Sequence, residues 1–233
     1  MKKLTNVLIL AASMLAMNSQ ARQLQEPPTQ VIYRFDDHRY LELKGWDCEG
    51  ELWFTDTKRG IHSQVWSQFY RIFTKRFVHP SERYIAISAW GGGFTVSKDY
   101  GRTWSGAHYS PGENEPDGMN LPPYDDIISF TVVNEQGFLQ TKHSLYMSSK
   151  PFDDPRLAAG GPGITYALDD GNVYHIDPRS PGPAWGLDYI TKRALKNDIA
   201  KYHTNYQNLP DKTPEVKNYT GWDHMRCDMD AGR

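Results

Sequence analysis

Short β-type segments separated by turn residues run through most of the sequence, and they constrain the fold more than any other feature. Each segment has five to seven residues, and the set is rich in β-branched and aromatic side chains, with Gly, Asp or Asn at the bends. The segments are VIYRF, RYLEL, ELWFT, YIAISAW, GFTVS, IISFTVV, GFLQT, SLYMS, ITYAL and NVYHI. Such closely spaced segments leave little room for crossover helices, so they predict a mainly β fold with antiparallel sheets.

Three stretches interrupt the strand pattern. Residues 105–126 and 151–163 are rich in Pro and Gly, and loops of that length are uncommon in compact domains unless they are functional. Apolar residues at helical spacing, with Asp188 as an N-cap, predict one amphipathic helix over about 188–205. The whole pattern therefore predicts a small β-propeller-like fold or an irregular β-sandwich, with one C-terminal helix.

The N-terminus has the layout of a secretory signal peptide. Two lysines precede an apolar run over residues 4–17, and small residues stand before a cut at Arg22. We therefore expect a signal peptide over 1–21 and a single β-rich domain over 22–233. The apolar run is shorter than the roughly 20 residues of a spanning helix, and no later segment approaches that length, so we expect no membrane span.

The chain has two cysteines, Cys48 and Cys227, and a Trp-Asp pair lies close to each. In an exported protein they predict one disulfide that joins the start of the domain to its end. Two buried thiols that never meet are the alternative. No Cys stands at the cleavage site where a lipid could be attached, so we expect an exported protein without a lipid anchor.

Residues 97–104, SKDYGRTW, follow the spacing S-x-D-x-G-x-T-W of an Asp-box. In that motif the Asp carboxylate accepts backbone N–H bonds across a hairpin turn, the Gly takes a positive φ, and the Trp packs beneath the turn. The motif resembles turns of β-propellers, including sialidases, where it lies away from the catalytic face. Sialidases usually carry several boxes, and this chain has one clear box. We therefore expect a structural role for its members, which are Ser97, Asp99, Gly101, Thr103 and Trp104.

Side chains that could do chemistry are scattered or fall at turns. Acidic pairs occur at four predicted turns, where Asp is favoured because its side chain bonds the local backbone. The eight histidines lack the spacing of metal ligands. Without the two lysines of the signal peptide, 24 basic residues stand against 28 acidic ones, and no basic cluster suits nucleic acid. We expect no catalytic residue, no cofactor, no metal and no nucleic-acid partner.

Long segments of the chain resemble one known family. They are VIYRFDDHRYLELKGWDCEGELWFTDTKRGIHSQV, RIFTKRFVHPSERYIAIS, FTVSKDYGRTW, SLYMSSKPFDDPR and PEVKNYTGWDHMRCD. These segments are similar to the periplasmic immunity proteins that accompany lipase effectors of the bacterial type VI secretion system, specifically those paired with the third class of these lipases. The resemblance implies a non-catalytic protein that binds its cognate phospholipase and protects the producing cell. Members often look like lipoproteins, and this chain departs from them because it has no Cys to acylate.

The resemblance implies a protein partner, and we expect contacts from the loops over 105–126 and 151–163. Aromatic residues beside Gly or Pro, together with acidic residues of these loops, form the candidate set. They are Trp90, Tyr109, Glu113, Glu115, Asp117, Tyr124, Asp153 and Asp154. A glycan-acting enzyme or glycan-binding module on a small propeller-like fold remains the alternative, and an envelope assembly factor without a toxin is a third.

Overall fold

A computed structural model describes residues 25–109, 121–149, 155–167, 171–179, 186–192 and 209–233. Strands make up 46% of the structure and helices 4%, which confirms the mainly β prediction. The predicted signal peptide lies outside the described residues, as do Glu113, Glu115, Asp117, Asp153 and Asp154. No helix among the described residues has the length and apolar character to cross a membrane.

Sheet 1 contains the first four strands in chain order, and every neighbouring pair is antiparallel. Its strands are β1 (Thr29–Arg34), β2 (Arg39–Trp46), β3 (Glu49–Asp56) and β4 (Ile61–Arg71). The turn from β2 to β3 consists of Asp47 and Cys48, whose φ angles are 53° and 59°. Two successive positive φ angles are typical of the hairpin turn whose twist matches its flanking strands.

Sheet 2 has six strands and mixes parallel with antiparallel pairs. Its strands are β5 (Arg76–Val78), β9 (His108–Tyr109), β10 (Ile127–Val133), β11 (Gln136–Thr141), β12 (Leu145–Ser148) and β15 (Asp188–Thr191). They lie in the order β5-β10-β11-β12-β15-β9, with β5 parallel to β10 and β9 parallel to β15. The sheet therefore combines strands from distant parts of the chain at both of its edges.

Two smaller sheets and two short 3-10 helices complete the described structure. Sheet 3 consists of β6 (Ile85–Ser88), β7 (Phe94–Ser97) and β8 (Ser105–Gly106), and sheet 4 of β13 (Ile164–Ala167) and β14 (Val173–Ile176). The 3-10 helices are Tyr124–Asp126 and Pro155–Leu157. The arrangement is irregular and sandwich-like.

Aromatic side chains fill the core between sheets 1, 2 and 3. Phe35, directly after β1, lies 6.4 Å from Phe77 of β5, and Phe77 stacks on Phe130 of β10 at 5.8 Å. Phe94 of β7 reaches the same Phe130 at 5.4 Å. All four rings are buried, and each such side chain stabilises the fold by roughly 1.5–3 kcal/mol relative to an exposed one. The three sheets therefore share one core.

The C-terminal segment 209–233 returns to sheet 1 and covers the edge of β1. The N–H of Trp222 donates to the carbonyl of Arg34 at 2.8 Å, and the N–H of Arg226 donates to that of Ile32 at 2.7 Å. Cys227 forms a disulfide with Cys48, with their Cα atoms 6.0 Å apart. The predicted disulfide is therefore confirmed, and it fixes this segment to the β2–β3 turn.

The prediction of a helix from residue 188 is wrong at its start. Residues Asp188–Thr191 form β15, which pairs with β12 and β9. Tyr189 and Ile190 are fully buried, and the Tyr189 hydroxyl lies 2.7 Å from that of Tyr84. Tertiary pairing and burial therefore outweigh the helical spacing at these residues. The predicted helix from residue 193 onward lies outside the described residues.

Candidate protein-binding surface

The turn over residues 97–104 is closed by the side chain of Asp99. One carboxylate oxygen accepts the N–H groups of Arg102 at 3.1 Å and Thr103 at 2.9 Å, and the other accepts the Thr103 hydroxyl at 2.7 Å. The Ser97 hydroxyl donates to the same carboxylate at 2.8 Å. Burial raises the pKa of Asp99, but these hydrogen bonds outweigh burial and leave that pKa below its usual value. The carboxylate is fully engaged in holding the turn.

Gly101 and Trp104 attach this turn to sheet 1. Gly101 has a φ of 88°, and a Cβ at this position would lie 2.4 Å from two ring atoms of Phe54. Trp104 packs edge-on against Phe54 at 5.8 Å and donates its indole N–H to the Ser63 hydroxyl at 2.9 Å. The turn therefore stabilises the junction between sheets 1 and 3, and its polar groups are used within the fold.

The exposed Trp90 and the partly buried Tyr124 form an aromatic pair, with ring centroids 6.2 Å apart. The Trp90 side chain is 57% exposed. The guanidinium of Arg71 lies 5.3 Å from the Trp90 ring, and the Nζ of Lys75 lies 4.9 Å from the Tyr124 ring. Cations placed over aromatic faces attract the ring quadrupole by about 0.5–1 kcal/mol at exposed sites. Each aromatic ring of the pair is therefore covered on one side by a basic side chain.

Hydrogen bonds fix the backbone around this pair. The N–H of Trp90 donates to the carbonyl of Arg71 at 3.1 Å, and the N–H of Thr74 donates to the Tyr124 hydroxyl at 2.8 Å. The Arg71 guanidinium also donates to the carboxylate of Glu49 on β3. Trp90 and Tyr124 are thus held in one arrangement, which lowers the entropy that a partner must remove on binding.

Two further exposed apolar side chains, Phe69 and Leu121, are close in the chain to Arg71 and to Tyr124. Phe69 lies two residues before the end of β4, is 72% exposed, and has a φ of 59°. A positive φ is uncommon for a bulky residue and marks a local strain of the backbone. Leu121, 47% exposed, lies beside Gly92, two residues after Trp90. We define the aromatic surface as Phe69, Arg71, Lys75, Trp90, Leu121 and Tyr124.

The structure places the predicted partner residues in different environments. Trp90 and Tyr124 lie together on the aromatic surface, although they are 34 residues apart in the chain. Tyr109 instead lies in the core, because β9 pairs with β15 and its hydroxyl donates to the carbonyl of Gly92 at 2.5 Å. Burial raises the pKa of Tyr109. It therefore offers no exposed ring to a partner.

Phe69, Arg71 and Lys75 were not among the predicted residues. Phe69 lies in β4, a strand absent from the predicted set, in which polar and apolar residues mix without regular alternation. Arg71 and Lys75 join the surface only through contacts with rings 19 and 49 positions further along the chain. The one available signal was the aromatic Phe69-Tyr70 pair beside Arg71, a composition typical of protein interfaces.

The acidic pair at Asp36 and Asp37 belongs to a turn. With His38 it brings three possible metal ligands within 4.8 Å of one another. One Asp36 oxygen accepts the N–H of Arg39 at 2.7 Å, and the other accepts the guanidinium N–H of Arg39, also at 2.7 Å. Local bonding therefore explains this cluster, as expected for Asp at turns.

A wide groove of about 980 Å³ lies between sheet 2 and the C-terminal segment. Its lining includes Glu215 and Asp223, the two acidic residues that could act as a catalytic pair. Glu215 lies 3.6 Å from Lys217, and Asp223 lies 3.0 Å from His224. Each carboxylate is exposed and contacts a neighbouring basic side chain, so neither has the buried, apolar setting of a general acid.

Comparisons with known proteins give one family match. Residues 25–134, just under half of the chain, match the family described as T6SS Tli3 immunity protein. No curated protein sequence matches this chain. A solved structure titled "YCF48 bound to D1 peptide" is similar at 14% identity with a TM-score of 0.33, over 65% of this chain and 48% of that chain. This chain thus spans about half the length of that structure, and so distant a likeness carries no functional inference.

Proposed function

We propose that this chain, whose residues 25–134 belong to the T6SS Tli3 immunity protein family, binds and neutralises a phospholipase effector of the type VI secretion system in the periplasm. The family supports a role as an immunity protein with a protein partner. The Cys48–Cys227 disulfide fits an oxidising compartment. The choice of a phospholipase as the effector rests on the sequence resemblance over nearly the whole mature chain. The protein acts by binding and needs no catalysis of its own.

Neutralisation sets a high demand on affinity, because one free lipase molecule turns over many lipids. A nanomolar complex corresponds to about 12 kcal/mol of binding free energy. Complexes of that strength usually bury on the order of 1,600 Å², or about 800 Å² on each partner. The binding surface must therefore be extensive, and its central side chains must be well ordered before the partner arrives.

The observation that carries the proposal is the aromatic surface. Trp, Tyr and Arg are the residue types that most often dominate binding energy at protein interfaces. Here Trp90 contacts both Tyr124 and Arg71, and the Trp90 ring is more than half exposed. Arg71 is paired with Glu49, whereas Lys75 forms no ion pair within the described residues, so we expect a carboxylate on the effector opposite Lys75. We propose that the effector's binding face is apolar at its centre and acidic at its rim.

The test measures hydrolysis of phospholipid vesicles by the purified effector while this protein is titrated. Wild-type protein should abolish hydrolysis at a stoichiometric ratio. Trp90→Ala should weaken binding by about 2 kcal/mol or more, roughly 30-fold, if Trp90 is a central contact. Its melting temperature should stay close to that of the wild type, because the ring is 57% exposed.

Val173→Ala is the matched control, since Val173 is also an exposed apolar side chain, 67% accessible, but belongs to β14 of sheet 4, which contributes no residue to the aromatic surface. It should inhibit like the wild type. A folded Trp90→Ala protein that inhibits with unchanged affinity would remove the aromatic surface from the proposal. A wild-type protein that leaves hydrolysis unaffected would reject the proposed function itself.

A further inference from the structure

The two edge strands of sheet 1 differ in whether another segment covers them. The edge of β1 is covered by the C-terminal segment, which bonds to its carbonyls and is fixed by the disulfide. The opposite edge belongs to β4, which at 11 residues is the longest of the described strands. The only backbone-to-backbone bond that β4 makes outside its pairing with β3, within the described residues, joins Arg71 to Trp90. Among the described residues, the backbone edge from Gln64 to Phe69 therefore has no strand partner, and we call it the free edge.

Within the described residues, this free edge has only one of the usual protections, the bulges in its pairing with β3. Proteins normally guard an edge strand with charged side chains, Pro, β-bulges or a covering segment, because its unpaired N–H and C=O groups can pair with another chain. The sequence from His62 to Tyr70, HSQVWSQFY, contains no Lys, Arg, Asp, Glu or Pro. Ser67, Gln68 and Phe69 are exposed in succession. The edge therefore has the chemistry of a strand that accepts a neighbour.

The position of the edge connects it to the aromatic surface. Phe69 ends the free segment and belongs to that surface, and Arg71 follows two residues later. The exposed parts of Trp90 and Phe69 amount together to about 250 Å², given about 150–250 Å² for a whole aromatic side chain. That area is well below the roughly 800 Å² per partner that a stable complex buries. A partner seated on the aromatic surface must therefore contact neighbouring regions, and the β4 edge adjoins it.

We propose that an extended segment of the effector adds to sheet 1 along the free edge of β4, residues 64–69, as a fifth strand. This inference rests on the proposed function and specifies how the effector binds. The occupant is a polypeptide strand whose backbone pairs with β4 and whose end reaches the aromatic surface. Six residues of such a strand extend about 20 Å. Backbone pairing supplies affinity, while Trp90 and Arg71 supply specificity.

A foreign strand fits this edge better than a second copy of the chain. The pairing of β4 with β3 shifts register twice, around Leu52, which bends the strand. A bent edge opposes the flat, extended pairing that two identical edges need to assemble. A short effector segment can follow the bend, because only a few of its residues must pair with β4 and no further strand has to pair with the segment.

Hydrogen exchange of the full-length protein, free and in complex with the effector, tests the inference. Amides within residues 64–69 should exchange at least about 10-fold more slowly in the complex. A complex that forms and inhibits the lipase while these amides exchange at their free rate would overturn the inference and leave the proposed function standing. The lack of any complex would reject both. Protection in the free protein that grows with concentration would assign the edge to a second copy and overturn the inference.

A pair of charge-matched variants gives a second measurement. The double variant Gln64→Lys and Ser67→Lys places charges on the edge, where lysines are a common natural block to strand addition. Its affinity for the effector should fall at least about 10-fold. Val173→Lys with Thr165→Lys adds the same charge at exposed positions of sheet 4, outside sheet 1, and should bind like the wild type. Equal affinities of the two double variants would count against strand addition at β4.

Discussion

Replacing Gly101 by Ala should destabilise the protein for two separable reasons. Gly101 has a φ of 88°, and a left-handed backbone costs a residue with a Cβ roughly 1–2 kcal/mol. The new Cβ would also lie 2.4 Å from two ring atoms of Phe54, far inside van der Waals contact. Phe54 is fully buried between Phe35 and Trp104, so its ring has little room to move, and such overpacking costs about 1–3 kcal/mol. The two effects together give about 2–5 kcal/mol.

Gly60→Ala separates these effects. Gly60 also has a positive φ, 63°, but a Cβ there meets nothing within 4 Å. It should therefore lose only the backbone contribution, about 1–2 kcal/mol. At about 2–4 °C per kcal/mol for a domain of this size, Gly101→Ala should melt about 10 °C below the wild type and Gly60→Ala about 4 °C below it. Urea unfolding followed by tryptophan fluorescence gives the free energies directly. Equal losses for the two variants would refute the packing of Phe54 beneath the turn.

Two further perturbations act on the stability of the fold. Reducing the Cys48–Cys227 disulfide, or replacing both residues by Ser, should lower the free energy of unfolding by about 5 kcal/mol, because the bond closes a loop of 179 residues in the unfolded chain. Thermal melts with and without reductant measure this loss, and unchanged melting temperatures would count against the covalent constraint. Burial and the nearby Arg39 hold the pKa of His79 well below its unfolded value, so that below about pH 6.5 only the unfolded state takes up the proton. The free energy of unfolding should therefore fall as the pH drops below about 6.5, by at most about 1.4 kcal/mol per pH unit. His79→Gln keeps an acceptor for the N–H of Ala86. In urea titrations between pH 5 and 6.5, the stability of this variant should depend less on pH than that of the wild type. An unchanged pH dependence would assign the effect to other groups.

The sequence predicted strands where side chains alternate and turn residues mark the bends. It did not predict β4, because the bulges in its pairing with β3 break the period of two and because an edge strand exposes both faces in part. The strands β8 and β9 have two residues each, too few for any periodic signal. β15 was assigned to a helix because a short run of buried residues does not distinguish a helix from a strand by its periodicity.

The binding surface was predictable only in part for a related reason. Aromatic residues beside Gly or Pro drew attention to Trp90, Tyr109 and Tyr124, but whether such a ring is exposed depends on strand pairing far away in the chain. Tyr109 is buried because β15 lies beside it, and β15 comes about 80 residues later. Local sequence therefore identifies residue types suited to binding, and tertiary contacts decide which of them reach the surface.

The turn over residues 97–104, closed by Asp99, and the aromatic surface contact β4 at its opposite ends. At the start of β4, the Ser63 hydroxyl donates to the carbonyl of Gly101 at 2.5 Å and accepts the indole N–H of Trp104. At its end, the carbonyl of Arg71 accepts the N–H of Trp90. The free edge between them is thus fixed at both ends before any partner binds. Since ordering a flexible segment opposes binding, a pre-ordered edge retains more of the energy of strand pairing as affinity. On the proposed function, the turn contributes to neutralisation through the position of β4 and without touching the effector.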